Sequence, residues 1–304
     1  MLPNDCTSWL DSKSKINRAG TTLAENPANY IALRQVQCYR LFRALTFPQV
    51  FNTILPVFDT CNARVAGRLK RLPSIVRKMG RDRIVDLAQL ADLVGIRIIC
   101  ESPCDADRVC NSVAALEHHK KTIDYVGKPR DSGYRGRHCI LKVPQHWPSS
   151  GEPCFFEVEI QVRTWFQHLW ALVSERYGEQ VKEGGGTRTI RDYLEELSRL
   201  IAAHETKEPT TAQIAFAKHH GAQSILVSRR ASRGAERPYS EDFKTDYEGA
   251  LRRLLAWEED LGASDYDVLF LIGIGDPKLL GQTHAVFFGV ENIPLPRWAP
   301  APPT

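Results

Sequence analysis

The sequence FFEVEIQVRT, residues 155–164, alternates polar and apolar side chains with the two-residue period of a β-strand. A half-buried strand with no further role would show the same alternation. The polar row is less ordinary, because two carboxylates, an amide and a guanidinium in one line can hold a metal, accept a proton and bind an anion. We therefore interpret this strand as the floor of a site. The polar row is Glu157, Glu159, Gln161 and Arg163, and the apolar row is Phe156, Val158, Ile160 and Val162.

The composition around this strand is that of an ordinary globular protein. The 304 residues are 43% hydrophobic and 25% charged, and their net charge of +4 permits anionic substrates without requiring nucleic acid. Neither a signal peptide nor an apolar run long enough to span a bilayer is evident, so we expect a cytoplasmic protein without membrane contact. The eight cysteines lack zinc spacing, which favours buried or idle thiols over a metal site at Cys100, Cys104 and Cys110.

Upstream of the strand, residues 64–83 form a basic segment that contains a single acid. Pro73 and Ser74 favour a helix start within it. A helix N-terminus beside the cations Arg68, Lys70 and Lys78 would attract a polyphosphate. A solvated basic helix face is the alternative interpretation.

Residues 86–100, DLAQLADLVGIRIIC, predict a short helix that leads into a strand over 94–99. Asp92 stands just before this strand, and Arg97 lies within it. A carboxylate at the start of a strand is well placed to hold a divalent cation, although a lone aspartate there more often caps a turn.

A turn is predicted at residues 128–133, and it would deliver Tyr134 and neighbouring cations to the mouth of the next strand. An aromatic ring among cations suits stacking on a nucleobase whose phosphates are held nearby. An edge-strand tyrosine in a solvated basic loop is the alternative.

The two ends of the chain carry weaker signals. Residues 1–27 are polar and unpatterned, which predicts a flexible arm. Residues 205–304 predict a small α/β region of unknown role with a proline-rich tail. Its predicted elements are strands at 223–228, 267–274 and 283–290 and an amphipathic helix at 243–261.

Six short motifs, taken in order, resemble the RelA/SpoT-type alarmone synthetase domain in its small, synthetase-only form. Each motif alone is weak, whereas six in the family's order make a specific match over about residues 30 to 200. The motifs are R-x-K (68–70), S-I-x-x-K (74–78), D-L-x-G-I-R-I (92–98), K-P-x-x-x-G-Y-R-x-x-H (128–138), E-I-Q-x-R-T (159–164) and Q-H-x-W-A (167–171).

The resemblance implies an α/β (α+β) fold, a nucleotidyltransferase-like mixed β-sheet flanked by helices. The synthetase domain would occupy residues 28–204, and residues 205–304 would add the small C-terminal α/β appendage. The implied activity is that of an ATP:GTP 3′-diphosphotransferase, which moves pyrophosphate from ATP to the 3′-hydroxyl of GDP or GTP.

The resemblance also implies a role for each matched residue on the donor side. By motif position, Arg68 and Arg97 would sandwich the adenine of ATP. Lys70, Ser74 and Lys78 would hold the ATP phosphates.

The resemblance further implies that Asp92 would coordinate Mg²⁺, and that Glu159 would complete the metal site or activate the acceptor hydroxyl. Tyr134 would stack on the acceptor guanine. This inventory of cations, a carboxylate-held Mg²⁺ and one base is what phosphoryl-type transfer requires. The remaining residues, which would position acceptor and donor groups, are Arg130, His138, Gln161 and Arg163.

The sequence departs from the family's pattern at Glu175, where a histidine is usual, and at Gly136, where serine is common. Two other functions are therefore kept open. A toxin-type relative would pyrophosphorylate the 3′ end of tRNA or make an adenosine alarmone, with an antitoxin as partner, and a nucleotide-binding regulator would lack catalysis. The acceptor's identity and homo-oligomer formation are left undecided. The extra bases that favour tRNA are Arg71, Arg77, Arg81, Arg83 and Arg137.

Overall fold

The two rows of residues 155–164 lie on opposite faces of one long strand in a computed structural model of the chain. The structure describes residues 2–58, 61, 63–81, 86–177, 188–207, 223–231, 238–260, 266–274, 277–289 and 293–303.

Ten α-helices lie within the residues that the structure describes. They are α1 (Asn4–Trp9), α2 (Lys13–Glu25), α3 (Tyr30–Ala44), α4 (Thr46–Phe58), α5 (Leu72–Arg81), α6 (Pro103–Ala114), α7 (Trp165–Arg176), α8 (Arg188–Lys207), α9 (Tyr247–Asp260) and α10 (Pro277–Gln282).

Eight strands form one mixed sheet in the order β3-β4-β5-β2-β1-β8-β6-β7. The β2–β5 pair is parallel, and the other pairs are antiparallel. This mixed sheet flanked by helices confirms the predicted fold class. The strands are β1 (Ala63–Leu69), β2 (Val94–Cys100), β3 (His119–Asp124), β4 (Arg137–His146), β5 (Pro153–Thr164), β6 (Gln223–Ala231), β7 (Tyr239–Asp242) and β8 (Tyr266–Ile274).

The apolar row of β5 faces the main hydrophobic core. Val158, Ile160 and Val162 are buried there with Ile96 and Ile98 of β2. Buried side chains of α4, α6 and α9 belong to the same core. Because burying one such aliphatic side chain is worth about 1.5–3 kcal/mol, this face fixes the register of β5 and turns its polar row the other way.

The passage from β5 into α7 is set by two side chains. The Thr164 hydroxyl accepts a hydrogen bond from the Gln167 backbone N–H, and the Gln167 side-chain oxygen accepts one from the Thr164 N–H. This capping box satisfies donors that the first helical turn leaves unpaired. The strand therefore ends, and the helix begins, directly after Arg163.

The N-terminal segment differs from the flexible arm that the sequence predicted. Helices α1 and α2 bury Leu10, Ile16 and Leu23 in a second core with α3 and α5. Cys6 and Cys38 are joined by a disulfide, which the expectation of unlinked thiols also missed. Apolar residues at 10, 16 and 23 are too widely spaced to reveal a helix by periodicity, and the buried partner surface is supplied by distant residues.

A buried ion pair connects α3 with α9. Arg40, only 1% exposed, donates from Nη1 to both carboxylate oxygens of Glu258 at 2.5 and 2.6 Å. Its Nε also donates to the Lys70 carbonyl oxygen at 2.9 Å. One guanidinium thus ties the C-terminal half of the chain to the end of β1.

The C-terminal strands continue the same sheet, since β8 pairs with β1 and β6 pairs with β8. The strands predicted at 223–228 and 267–274 and the helix at 243–261 are confirmed as β6, β8 and α9, with shifted ends. The strand predicted at 283–290 is wrong, because residues 283–289 form successive turns in which the N–H of His284, Phe287 and Phe288 bond to carbonyls three residues earlier.

None of the helices in the described segments combines the length and the apolar character that crossing a bilayer would need.

Candidate active site

The strand registers collect the polar residues on one face of the sheet. Gly95 pairs with both Arg68 of β1 and Glu159 of β5, and Gln161 pairs with both Arg97 of β2 and His138 of β4. Paired residues in adjacent strands point to the same side. The face opposite the main core therefore carries predicted residues from four neighbouring strands.

A lysine pair surrounds Asp92 at the edge of this face. The Lys70 Nζ lies 2.6 Å from Asp92 Oδ2, and the Lys78 Nζ lies 3.2 Å from Asp92 Oδ1. Lys70 follows β1, Lys78 lies on α5, and Asp92 belongs to a short 3-10 turn before β2. The Lys70 backbone N–H also donates to the Leu93 carbonyl at 2.9 Å, which brings the two chain segments together.

The pKa values of Asp92 and Lys70 are both shifted in this cluster. Burial would raise the pKa of Asp92, but the ammonium groups of Lys70 and Lys78 outweigh it and hold that pKa well below its usual value. Burial lowers the pKa of Lys70, while the Asp92 carboxylate opposes this change. Two cations against one buried anion leave positive charge that a polyphosphate would neutralise.

The Glu159 carboxylate is held on both oxygens. His138 Nδ1 lies 2.8 Å from Oε1, and the Gln161 side-chain amide donates to Oε2 at 2.7 Å. Burial would raise the pKa of Glu159, but hydrogen bonding and charge from His138 outweigh burial and lower it. The carboxylate therefore stays ionised at neutral pH in a fixed orientation. Glu157, the neighbouring acid in the polar row, instead pairs with Lys120.

An aromatic and cationic cluster continues from Glu159 toward the 128–138 loop. The Tyr134 hydroxyl lies 2.5 Å from His138 Nε2, and Arg163 Nε donates to that hydroxyl at 3.2 Å. Arg163 also donates to the Gln161 side-chain oxygen at 2.7 Å. The Tyr134 ring is half-buried, with the exposed guanidinium of Arg130 5.6 Å from its centroid. The cluster thus links the carboxylate to a partly open aromatic surface.

The loop before β4 requires glycine at two points. Gly133 has φ +85°, and Gly136 has φ +150° with a position for Cβ only 3.0 Å from the Tyr134 hydroxyl oxygen. Side chains other than hydrogen are strained in such backbone conformations. The departure at Gly136 therefore has a local structural reason beside Tyr134.

Arg97 is one of the buried residues among those predicted for the site. It is 5% exposed, its Nη1 donates to the Thr283 carbonyl oxygen at 2.6 Å, and its Nη2 lies 3.7 Å from Glu175 Oε1. Burial lowers the pKa of Arg97 to about 9, with Arg163 acting in the same direction. The departure at Glu175 thus adjoins a predicted donor-side residue, whereas the sequence associated it with the acceptor.

The other two donor-side residues lie on either side of the lysine pair. Arg68 is half-buried on β1 opposite Gly95, and Ser74 lies in the first turn of α5, where its N–H donates to the Arg71 carbonyl. Helix α5 begins at Leu72, next to the predicted start. The structure thus brings the predicted donor and acceptor residues to one face of the sheet, while their roles stay predictions.

Tyr125 and Thr283 contact predicted site residues although the sequence did not single them out. Tyr125 accepts a hydrogen bond from Arg130 at 2.8 Å, and that guanidinium lies 4.4 Å from the Tyr125 ring centroid. Its position just before the K-P turn was an available signal. Thr283 reaches Arg97 across 186 residues, and no local pattern could have indicated that contact.

Cys100, Cys104 and Cys110, for which the sequence favoured buried or idle thiols over a metal site, are not grouped as metal ligands in the described residues. Cys100 and Cys110 are buried and Cys104 is exposed. Within the same residues, the metal-capable group of three consists of Asp5 and the two disulfide-bonded cysteines.

Comparison with known proteins supports the resemblance. The family model described as a region found in RelA / SpoT proteins matches residues 67–180. GTP pyrophosphokinase YwaC of Bacillus subtilis (strain 168) is 30% identical over 120 residues, which cover 36% of this chain and 55% of the relative. GTP pyrophosphokinase YjbM of the same organism is 32% identical over 113 residues, covering 36% and 53%. The chain spans about half the length of these curated relatives.

Two solved structures from Bacillus subtilis are also similar. Small alarmone synthetase 2 is 24% identical, with 57% of this chain and 94% of that chain covered and a TM-score of 0.47. Small alarmone synthetase 1 bound to its product pppGpp is 25% identical, with 47% and 74% covered and a TM-score of 0.42. All six motifs quoted above lie within the residues that the family model matches. Residues 67–180 of this chain are therefore similar to the region found in RelA / SpoT proteins.

Proposed function

We propose that the chain is a (p)ppGpp synthetase, a GTP diphosphokinase that transfers pyrophosphate from ATP to the 3′-hydroxyl of GDP or GTP. The observation that carries the proposal is the placement of Lys70 and Lys78 on Asp92, with Glu159 on the adjoining strand. This combines a polyphosphate-binding group with a fixed carboxylate. The similarity of this chain to two GTP pyrophosphokinases, over 120 and 113 residues, supports the same reaction class. Within this proposal the synthetase occupies residues 28–204.

On the donor side, the proposal assigns the ATP phosphates to Lys70, Ser74 and Lys78. The two ammonium groups would exchange their hydrogen bonds with Asp92 for bonds to phosphate oxygens, which carry more charge. The N-terminal turn of α5 would add backbone N–H groups at Ser74. Arg68 and Arg97 would contact the adenine.

In the transfer step, the acceptor's 3′-oxygen attacks the β-phosphorus of ATP, and the bond from that phosphorus to the α-phosphate oxygen breaks. AMP leaves, and the β,γ-diphosphate becomes attached to the acceptor. Glu159 would accept the hydroxyl proton, since its carboxylate is ionised and held in place by His138 and Gln161. Tyr134 would stack on the guanine, with Arg130 and Arg163 beside it.

The carboxylates of Asp92 and Glu159 suit Mg²⁺. They lie close enough for the Asp92 charge to raise the pKa of Glu159, and Mg²⁺ in nucleotide enzymes is commonly bound by one or two carboxylates together with substrate phosphates. When bound, the ion would neutralise charge on the transferred group. Lys70 and Lys78 would then be released toward the phosphates.

The tRNA and adenosine alternatives gain less from the structure. Two of the extra bases on which the tRNA hypothesis rested are paired with acids, since Arg137 Nη1 lies 2.6 Å from Asp107 and Arg71 pairs with Asp267. Arg83 lies outside the described residues. An antitoxin partner, a homo-oligomer and residence in the cytoplasm stay predictions, as does the non-catalytic regulator.

A transfer assay tests the proposal. Purified protein is incubated with Mg²⁺ and ATP labelled on the γ-phosphate, and with GDP, GTP, ATP or deacylated tRNA in turn. We expect label on GDP and GTP, with AMP released in equal amount. Label on tRNA or ATP alone would replace the proposal with the toxin-type alternative. ATP binding without transfer to any acceptor would leave the non-catalytic regulator.

A further inference from the structure

The turn segment after α10 lies on the donor side of the polar face. We define residues 282–287 as the C-terminal cover. The Gln282 side-chain oxygen accepts a hydrogen bond from Arg64 Nη1 at 2.9 Å, and the Thr283 carbonyl oxygen accepts one from Arg97 Nη1 at 2.6 Å. Two arginines of neighbouring strands are thus bonded to consecutive residues of one turn.

The far end of the C-terminal cover contacts two further arginines. The Phe287 ring centroid lies 5.8 Å from the Arg71 guanidinium carbon and 4.7 Å from that of Arg230. These are distances at which a cation is attracted to an aromatic face. Phe287 also packs with Leu271 and Leu280 in a small apolar cluster on this side of the sheet. The segment therefore bridges the arginines of β1, β2 and β6.

Under the C-terminal cover, Arg97 has little surface left for a ligand. Arg97 is 5% exposed, Thr283 2% and His284 5%. Stacking on a nucleobase requires one open face of the guanidinium plane. A donor adenine therefore cannot reach Arg97 while residues 282–287 keep these contacts.

We propose that the C-terminal cover is an autoinhibitory element that must move away from Arg97 before the donor nucleotide binds productively. This inference rests on the proposed function, because it takes Arg97 as a donor-side residue. The closed arrangement withholds the adenine contact and leaves the Lys70 and Lys78 cluster unchanged. A donor nucleotide and the C-terminal cover compete for the same guanidinium, so each lowers the occupancy of the other.

The C-terminal cover is held by further contacts besides those to Arg64 and Arg97. Arg230 Nη1 donates to the Val286 and Phe287 carbonyl oxygens at 3.4 Å, and Ala285 packs with Leu169 and Leu172 of α7. Its turns are closed by short-range bonds, such as Thr283 Oγ1 to the Leu280 carbonyl at 2.6 Å. Gly289, just after the segment, has φ +68° and open space around its Cβ position, so its backbone turns without a side chain to constrain it. Opening would break the bonds to Arg64, Arg97 and Arg230 and the packing of Ala285 and Phe287, while the strand pairings of the sheet do not involve this segment.

Two variants of the full chain test the proposal by loosening the C-terminal cover. Gln282→Ala removes an exposed side chain and its bond to Arg64, and Phe287→Ala removes the contacts to Arg71 and Arg230. Because apparent affinity is reduced by the fraction of molecules in the competent state, each variant should lower the KM for ATP by about 3- to 10-fold. Phe155→Ala is the matched control, since this exposed ring contacts Lys142 on β4, a strand that none of the contacts of the C-terminal cover described above involves.

Hydrogen exchange with α,β-methylene ATP provides a readout that does not depend on turnover. Binding of this analogue to the wild-type protein should speed exchange in residues 277–289. Slower exchange there, together with a raised KM in Gln282→Ala, would overturn the proposal and make the segment a wall of the nucleotide site. Thermal unfolding of each variant identifies loss of fold. If Phe287→Ala proves unstable, the result with Gln282→Ala alone decides the test.

The two proposals fail in different ways. If the wild type makes labelled guanosine product while the analogue protects residues 277–289, the C-terminal cover is refuted and the synthetase assignment stands. If neither the wild type nor Gln282→Ala binds the analogue or forms product, the proposed function fails. The autoinhibitory role of the C-terminal cover, which rests on that function, then fails as well.

Discussion

The donor and acceptor halves of the polar face are built differently. On the donor side, Asp92 is paired with two lysines and Arg97 is enclosed by Thr283 and Glu175. On the acceptor side, Glu159 is already oriented, and Arg130 is exposed beside a half-buried Tyr134. The donor residues must exchange partners before they can bind substrate, whereas the acceptor residues are preorganised. The free-energy cost of exchanging these contacts therefore falls on the binding of ATP rather than of the acceptor.

The largest expected effect is at the proposed base. Glu159→Gln should lower kcat by about 10²- to 10⁴-fold, because the amide cannot accept the proton but can still hydrogen-bond within the cluster. Steady-state rates with ATP and GDP measure the loss, and thermal unfolding checks the fold. Glu157→Gln, two residues away on the same strand, is the control and should keep the rate within a few-fold. Full activity in Glu159→Gln would remove it from catalysis.

The second largest expected effect is at Lys70, and it distinguishes the donor half of the polar face from the acceptor half. Lys70→Met should raise the KM for ATP by about 10- to 100-fold, the worth of one charge-assisted hydrogen bond, and leave the KM for GDP nearly unchanged. Initial rates over a matrix of both substrates provide the measurement. Lys120→Met, which removes the partner of Glu157 at the same charge cost, is the control. An equal rise in both KM values would contradict the division of the face.

The acceptor half is probed at its ring. Tyr134→Leu should raise the KM for GDP by about 10-fold, since stacking of a base on an aromatic side chain is worth about 1–3 kcal/mol. Tyr134→Phe keeps the ring and loses only the hydroxyl contacts with His138 and Arg163, so its KM should stay near the wild-type value. If both variants behaved alike, the hydroxyl rather than the ring would be the important group.

The smallest effect is a pH dependence of stability at Asp92. Its pKa in the folded protein lies below the usual 3.8, so its pairing stabilises the fold above that pH and is lost as pH falls through the lower folded value. Asp92→Asn should therefore be less stable than wild type at pH 7 by about 2 kcal/mol, with the gap narrowing below about pH 4. Urea unfolding from pH 7 to pH 2 measures this. A constant gap would show that the carboxylate's charge contributes nothing.

The central strands were predictable because their signals are local. Residues 155–164 alternate with a period of two, and residues 94–99 form a β-branched run directly after Asp92 and Leu93. The sequence therefore predicts both strands and the positions of their polar residues. Register then followed from burying one face. The strand predicted at residues 283–290 was wrong, because the apolar residues there include Phe287, which packs against Leu226 and Leu271 of the sheet.

The sequence predicted which residues belong to the site but not the contacts between them. Motif order named the residues on both halves, yet nothing in the sequence indicated that Lys70 and Lys78 would both contact Asp92, or that His138 would hold Glu159. Those contacts depend on the antiparallel pairing of β1 with β2 and of β4 with β5, which no local pattern in the sequence specifies. Tertiary pairing also decides the Arg97 environment, because Thr283 comes from outside the family match.

The pairing of β8 with β1 has a practical consequence for anyone who shortens this protein to its recognisable domain. Removing the C-terminal residues would expose the β1 edge, where unpaired N–H and C=O groups invite aggregation. It would also strip Arg40 of Glu258, and breaking a buried ion pair from one side costs about 3–5 kcal/mol. Insolubility of such a fragment would therefore report a missing strand rather than an inactive enzyme.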